Sequence, residues 1–125
     1  MERGSRLILR STPEEEMTPE NALAVGTHVG ALYRKVAVGI DSSPNSGMIQ
    51  AAFIAGLVSA GAVTIEAGVA PAPAVCLAFK NACDCIAMVG SPNEYGSFSS
   101  IELFNPDGSR FGTEQLGQIL DVVGA

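Results

Sequence analysis

The stretch DCIAMVGSPNEYGSFSSIELFNPDG, residues Asp84 to Gly108, decides the fold of this chain. Its run Cys85–Val89 is continuously apolar, as expected of a strand that is buried on both faces of an α/β sheet. A polar loop follows over 90–100, and an apolar segment then leads into a turn at 105–108. Open α/β sheets bind ligands beside the loops that leave the carboxyl ends of their strands. We therefore expect the functional site at the loop 90–100.

Strands and helices alternate through the rest of the chain. Thr18-Pro19-Glu20 is a typical helix start, because Thr18 can cap the helix and Pro19 fits its first position. The hydroxyl-rich start of the next helix, 42–45, can cap that helix or bind an anion, and Gly61 is expected to end it in a left-handed conformation. This alternation predicts a three-layer α/β/α sandwich with a mixed, mostly parallel sheet. The predicted strands cover 6–10, 36–40, 62–66 and 85–89, and the predicted helices run from Thr18 to Tyr33, from near Pro44 to about Ala60, from Pro73 to about Ala82 and from Thr113 to Val123.

Length and composition favour closely packed helices in a single domain over residues 1–125. A chain of 125 residues is long enough to bury its own core. It contains 14 glycines, no tryptophan and 6% aromatic residues, and such small side chains suit helices that pack tightly on a sheet. In the second helix, the residues expected to face inward are Met48, Ile49, Ala52, Phe53, Gly56 and Leu57.

Charge and cysteine content exclude several classes of partner and location. The net charge of −6 argues against a nucleic-acid or anionic-membrane partner. No apolar run approaches the roughly 18 residues of a membrane span, and the first residues are too charged for a signal peptide. The cysteines, Cys76, Cys83 and Cys85, are odd in number and lie in apolar surroundings, which is typical of reduced thiols. The prediction is a cytoplasmic protein.

The opening stretch resembles the active-site region of the α-D-phosphohexomutases, the phosphoglucomutase/phosphomannomutase family. In that family a strand runs into a Thr-Ala-Ser-His-Asn-Pro loop, whose serine carries the phosphoryl group, and the chain continues to a Pro-Asn/Asp-Gly turn. Further similarities are Gly39 and Asp41 at the family's Gly-Arg-Asp-Thr-Arg segment, the helix end AGLVSAG at 55–61 and the turn GVAPAP at 68–73. The resemblance covers 10–123 and implies the fold of the first of the family's four domains.

The reactive groups of the loop differ from those of the family. The resemblance places Pro92 at the nucleophilic serine, Asn93 at the histidine and Glu102 at a lysine. A cation about 4 Å from a phosphate contributes about 4 kcal/mol per unit charge at a dielectric of about 20, so Glu102 would repel phosphate if it points into the site. No Lys or Arg lies within 82–108. Arg10 falls at an arginine that helps to hold the family's phosphoserine loop, although an exposed arginine ending an edge strand explains it equally well.

Ser91 is the candidate nucleophile, because it lies one position before the family serine. Pro92 restricts Ser91 to extended backbone angles, and the loop has no histidine or lysine to activate it, so a polar turn residue is the alternative. The family's Mg²⁺ site belongs to an Asp-Gly-Asp-Gly-Asp motif of the second domain. The resemblance therefore implies no metal site on this chain, and Mg²⁺ only where a partner supplies it.

These observations predict that the chain is a stand-alone, catalytically degenerate copy of phosphohexomutase domain I that acts through binding or assembly. A lone copy would expose a sheet edge and apolar helix faces, which predicts a homo-oligomer or a protein partner such as a mutase subunit. The rival function is one subunit of a split mutase that uses Ser91 as its phosphoserine and Mg²⁺ from the partner. A third possible function is that of a module that binds a small, neutral polar ligand. The residues considered for ligand binding are Arg10, Asn93, Ser97, Ser99 and Ser100.

Overall fold

The computed structural model describes residues 2–3, 8–10, 17–42, 46–90 and 100–123. None of the helices in these ranges is long and apolar enough to cross a membrane. In chain order, the described elements are β1 (Glu2–Arg3), β2 (Ile8–Arg10), α1 (Pro19–Leu32), β3 (Lys35–Ile40), α2 (Ser46–Ser59), β4 (Val63–Val69), α3 (Ala72–Ala78), β5 (Cys85–Gly90), β6 (Ser100–Phe104) and α4 (Thr113–Val123).

The strands form one mixed sheet with the order β1-β2-β6-β5-β3-β4. β3 pairs in parallel with β4 and β5, whereas β6 pairs antiparallel with β5 and β2, and β1 pairs antiparallel with β2. Four strands therefore run in one direction, and β1 and β6 run in the other. The predicted mixed sheet is confirmed, with two parallel and three antiparallel pairings among the described strands. Sequence patterns missed the short strand β1, because two residues are too few to show an alternation.

Helices cover both faces of this sheet, which confirms the three-layer sandwich. The larger core lies under α1, α2 and α4 and includes Phe53, Leu57 and Leu116, each fully buried. The smaller core lies on the opposite face under α3 and includes Val75 and Ile86. β5 is buried along its length up to its last residue, as its apolar sequence predicts.

Capping residues define the start of α1 and the end of α2, as the sequence predicts. The Thr18 side chain accepts a hydrogen bond from the Asn21 N–H at 3.1 Å, and Pro19 is the first residue of α1. Gly61 has a φ of +92°, which only glycine adopts without strain. Its conformation lets the Ala62 N–H return to the carbonyl of Leu57 at 3.0 Å, which is the closing bond of a Schellman motif.

Three details of the prediction were wrong. The helix predicted to run to about Ala82 ends at Ala78, and Asn81 just beyond it has a left-handed φ of 57° that no helix can continue through. Met48 is 53% exposed rather than buried, because α2 is apolar around most of its circumference and its pattern does not identify the inner face. β4 continues beyond Glu66 to Val69, through a bulge and a left-handed Gly68 that interrupt its alternation. The other residues expected to face inward from α2 are buried or partly buried: Ile49, Ala52, Phe53, Gly56 and Leu57.

Burial of Cys85 at the start of the inner strand β5 predicts a loss of stability in alkali. Burial, with smaller contributions from Cys83 and Asp84, raises the pKa of the Cys85 thiol well above its usual value of 9.0. Above pH 9 the unfolded chain releases this proton and the folded chain keeps it, so the free energy of unfolding falls as pH rises. The expected slope is up to about 1.4 kcal/mol per pH unit from this thiol.

Urea unfolding followed by circular dichroism at pH 8, 9 and 10 measures that slope. Cys85→Ala is the matched variant, and it should flatten the dependence above pH 9 even though its stability at pH 8 is lower. Cys76, Cys83 and Tyr33, whose pKa values burial also raises, account for the slope that remains. An unchanged slope in Cys85→Ala would contradict the assignment.

Candidate functional site

The carboxyl ends of β3 and β5 meet at one edge of the sheet, where the sequence predicts the site. The N–H of Asp41, directly after β3, donates to the Val89 carbonyl at 3.0 Å. Gly90 ends β5 and is the register partner of Ser100, the first residue of β6. The Ser100 hydroxyl donates to the Gly90 carbonyl at 3.2 Å, and the residue is only 6% exposed. Ser100 therefore joins two strands and is not available to a ligand.

Four of the predicted site residues lie outside the described part of the chain. The segment 91–99 is not described, and it contains Ser91, Asn93, Ser97 and Ser99. Their predicted roles as nucleophile and ligand contacts remain predictions. What the structure defines is the pair of residues, Gly90 and Ser100, between which this segment begins and ends.

Asp41 occupies the start of α2. Its Oδ1 accepts a hydrogen bond of 2.6 Å from the hydroxyl of Ser46, the first residue of α2, which is 3% exposed. Its Oδ2 lies close to Gly90. A Cβ built on that glycine would be only 2.3 Å from this oxygen. A carboxylate at a helix N-terminus interacts favourably with the helix dipole. The side chain of Asp41 is thus an anion supplied by the chain itself, at the place where sequence analysis allowed an external anion.

Arg10 lies in line with the end of β5. Its register partner on β6 is Ser100, which in turn pairs with Gly90. Adjacent strands are about 4.8 Å apart, so the Arg10 backbone is roughly 10 Å from that of Gly90 across the sheet. This places the Arg10 backbone level with Gly90, the last described residue before the segment 91–99. Ligand binding by its side chain remains a prediction.

Glu102 forms an ion pair with Arg110. The side chains are 16% and 44% exposed, and the guanidinium of Arg110 also lies over the Phe104 ring, 5.4 Å from its centroid. Phe104 and Met88, the register partner of Glu102, both belong to the core beneath α3. Glu102 is therefore a compensated charge held on that face of the sheet. Sequence analysis treated it as unpaired, because the search for nearby cations stopped before residue 110.

The turn before Arg110 is held by a network of side chains. Asn105 donates to the Ser109 hydroxyl at 3.2 Å and accepts from the Gln115 side-chain amide at 2.8 Å. Asp107 accepts from the N–H and the hydroxyl of Ser109, and these bonds lower the pKa of its carboxyl. The network links the turn to α4 and fixes the position from which Arg110 reaches Glu102.

Sequence reasoning did not predict an open pocket of about 290 Å³ between the ends of β3 and β4, which is small for a ligand site. It is lined by Asp41, Ser42, Val69, Ala70 and Pro71. Mg²⁺ requires several oxygen ligands in near-octahedral geometry. Within the described ranges no three His, Cys, Asp or Glu side chains are arranged so that they could hold a metal ion, and Asp41 already accepts from Ser46. The described residues here do not fit Mg²⁺.

These elements define a three-layer α/β/α domain whose candidate site lies at the carboxyl ends of β3 and β5. The family model described as phosphoglucomutase/phosphomannomutase, alpha/beta/alpha domain I, matches residues 4–125. The chain belongs to this family.

Individual relatives agree with this assignment. The chain is 31% identical over 109 residues to a phosphoglucosamine mutase of Methanococcus aeolicus, covering 87% of this chain and 24% of that protein. It is 33% identical over 108 residues to a phosphopentomutase of Thermococcus kodakarensis, covering 86% of this chain and 24% of that protein. A crystallised Thermus thermophilus protein assigned as a phosphomannomutase superposes with a TM-score of 0.78 at 18% identity, covering 97% of this chain and 29% of that one. The chain thus spans about a quarter of the length of the curated relatives that it matches.

Proposed function

We propose that this chain is a phosphohexomutase domain I without phosphoryl-transfer activity of its own, acting as a binding or assembly module in carbohydrate metabolism. The observation that carries the proposal is the ion pair of Glu102 with Arg110. The resemblance places a lysine at position 102, and here that position holds a carboxylate whose charge is already neutralised. Position 102 therefore offers no positive charge that could bind a phosphate.

The start of the loop supports the same proposal. Pro92 stands at the position of the family serine, so the attacking hydroxyl is absent there. The missing lysine at 102 and the missing serine at 92 therefore both argue against phosphoryl transfer.

Assembly with another protein is the second half of the proposal. Leu77 on α3 is 77% exposed and Val69 on β4 is 67% exposed, and burial of these side chains in an interface would be favourable. A second copy of the chain, or a mutase subunit that supplies the remaining domains and their Mg²⁺, would cover such surfaces. The net charge of −6 and the free thiols Cys83 and Cys85 support a cytoplasmic protein that binds neither nucleic acid nor membrane.

Labelled glucose 1,6-bisphosphate tests the loss of activity. We expect no covalent label on the 125-residue chain after incubation with Mg²⁺, measured by intact-protein mass and phosphopeptide mapping. A mutase with the Thr-Ala-Ser-His-Asn-Pro loop, treated in parallel, provides the positive control, and Ser91→Ala should behave like the unaltered chain.

Stable label on Ser91 that disappears in Ser91→Ala would overturn this proposal. That result would support the alternative of a split mutase subunit with Ser91 as its phosphoserine. The position of the Arg10 backbone in line with Gly90 is the observation that favours this alternative. The label should then increase when a subunit carrying the second-domain metal motif and Mg²⁺ is added.

A further inference from the structure

α2 is apolar on the side that faces solvent as well as on the side that faces the sheet. Four exposed residues form its outer stripe: Met48, Ala51, Ala55 and Val58. The two larger ones, Met48 and Val58, are 53% and 57% exposed. A helix that is apolar around its whole circumference is normally buried on all sides. The outer stripe is therefore expected to be covered.

The spacing and the sizes of the outer stripe fit another helix of the same sequence. Its intervals of three, four and three residues are those of the a and d positions of a coiled-coil seam. Its sizes are symmetric about Phe53, with an alanine two residues away on each side and a larger side chain five residues away on each side. Two crossed helices are closest at the crossing and diverge away from it, so small residues fit the centre and larger ones the ends. The stripe thus matches a copy of itself that runs in the opposite direction.

We propose that α2 packs against α2 of a second copy of this chain, nearly antiparallel, about a two-fold axis level with Phe53. Ala51 of each copy then meets Ala55 of the other at the crossing, and Met48 meets Val58 on either side of it. The inference rests on the assembly half of the proposed function and names its partner and surface.

Charge favours a second copy at this face. α2 contains no charged residue, whereas the whole chain has a net charge of −6. Two copies therefore repel each other in most orientations, and they do so least where the uncharged helices meet. The antiparallel arrangement also places the positive end of each helix dipole beside the negative end of the other. A partner that is recognised through charge would find no complementary group on α2.

The size of the contact predicts a weak dimer. A helix of 14 residues is about 21 Å long. Leu23 on α1 widens the contact, because it is 43% exposed and its carbonyl lies beside Gly56 of α2. A contact of this length still buries less than the roughly 1,200 Å² of stable complexes. We therefore expect a dimer whose population rises with protein concentration.

Sedimentation equilibrium between about 10 μM and about 1 mM, a range that covers weak complexes, tests the pairing. The mass of the unaltered chain should rise from that of one chain towards that of two. Ala55→Glu should keep the monomer mass and an unchanged circular dichroism spectrum, because it buries an unpaired carboxylate at the crossing but is harmless on an exposed helix position. Ala74→Glu, the same change at an exposed position of α3, should dimerise like the unaltered chain.

A variant with opposite charges tests the direction of the two helices. Ala51→Lys combined with Ala55→Glu places an ammonium opposite a carboxylate at both contacts of the antiparallel pair, so it should restore the dimer that Ala55→Glu loses. In a parallel pair the like charges would meet, and the double variant would stay monomeric.

Three results would overturn the inference: a constant monomer mass of the unaltered chain, dimerisation of Ala55→Glu, or a monomeric double variant. A monomeric chain that binds a mutase subunit, and loses that binding in Ala55→Glu, would assign the outer stripe to the subunit and likewise overturn pairing with a second copy. None of these results depends on the labelling of Ser91, so the two proposals fail separately.

Discussion

Replacing Gly26 by alanine is expected to lower the free energy of unfolding by about 3 kcal/mol, the upper end of the usual cost of overpacking. Gly26 lies where α1 meets α2, and a Cβ there would be 2.1 Å from the backbone oxygen of Phe53. Backbone cannot move aside as the end of a side chain can. The reciprocal position is also closed, because a Cβ on Gly56 would lie 2.3 Å from the Leu23 oxygen. The two helices would have to separate, which would disturb the larger core.

Chemical denaturation of Gly26→Ala measures this cost, and Gly47→Ala is the matched control. Gly47 is also helical, but nothing lies within 4 Å of an added Cβ. Alanine there should raise the free energy of unfolding by about 0.5 kcal/mol, because it is a better helix former than glycine. The two substitutions are chemically identical and opposite in expected sign. Equal effects would show that helix propensity, and not the contact of α1 with α2, determines the role of Gly26.

Much of the fold follows from local sequence signals. The apolar run Cys85–Val89 predicts a strand buried on both faces, and Thr18 with Pro19 predicts the start of α1. The glycine content predicts close helices, although not which glycines make the contact. Those positions depend on how α1 and α2 cross, and a sequence pattern carries no information on that geometry.

The site was predicted less completely than the fold. Its place at the end of β5 follows from the buried strand and the polar loop behind it. The partners of its charges do not, because Glu102 meets Arg110 across a turn and Asp41 meets Ser46 across the start of a helix. Both pairs are close in sequence, so a search for opposite charges or donors just beyond each turn would have suggested them.

The second large effect is expected at Asp41. Asp41→Ala should lower the free energy of unfolding by about 2 kcal/mol, since it leaves the hydroxyl of a buried residue, Ser46, without its acceptor. The bond is 2.6 Å long and its acceptor belongs to an acidic residue, which places it among the stronger hydrogen bonds of proteins. Removal of the Asp41 side chain also leaves the start of α2 without a stabilising anion.

A double-mutant cycle with Ser46→Ala separates this contact from the other effects of Asp41→Ala. Ser46→Ala alone should cost about 1 kcal/mol, and the double variant should cost less than the sum by about 1 kcal/mol, because each single change already breaks the bond. Ser42→Ala, an exposed neighbour in the same segment, should stay within about 0.5 kcal/mol of the unaltered chain. Additive costs would show that Asp41 and Ser46 do not interact. Coupling of the expected size would make Asp41 a structural anion that joins the end of β3 to the start of α2.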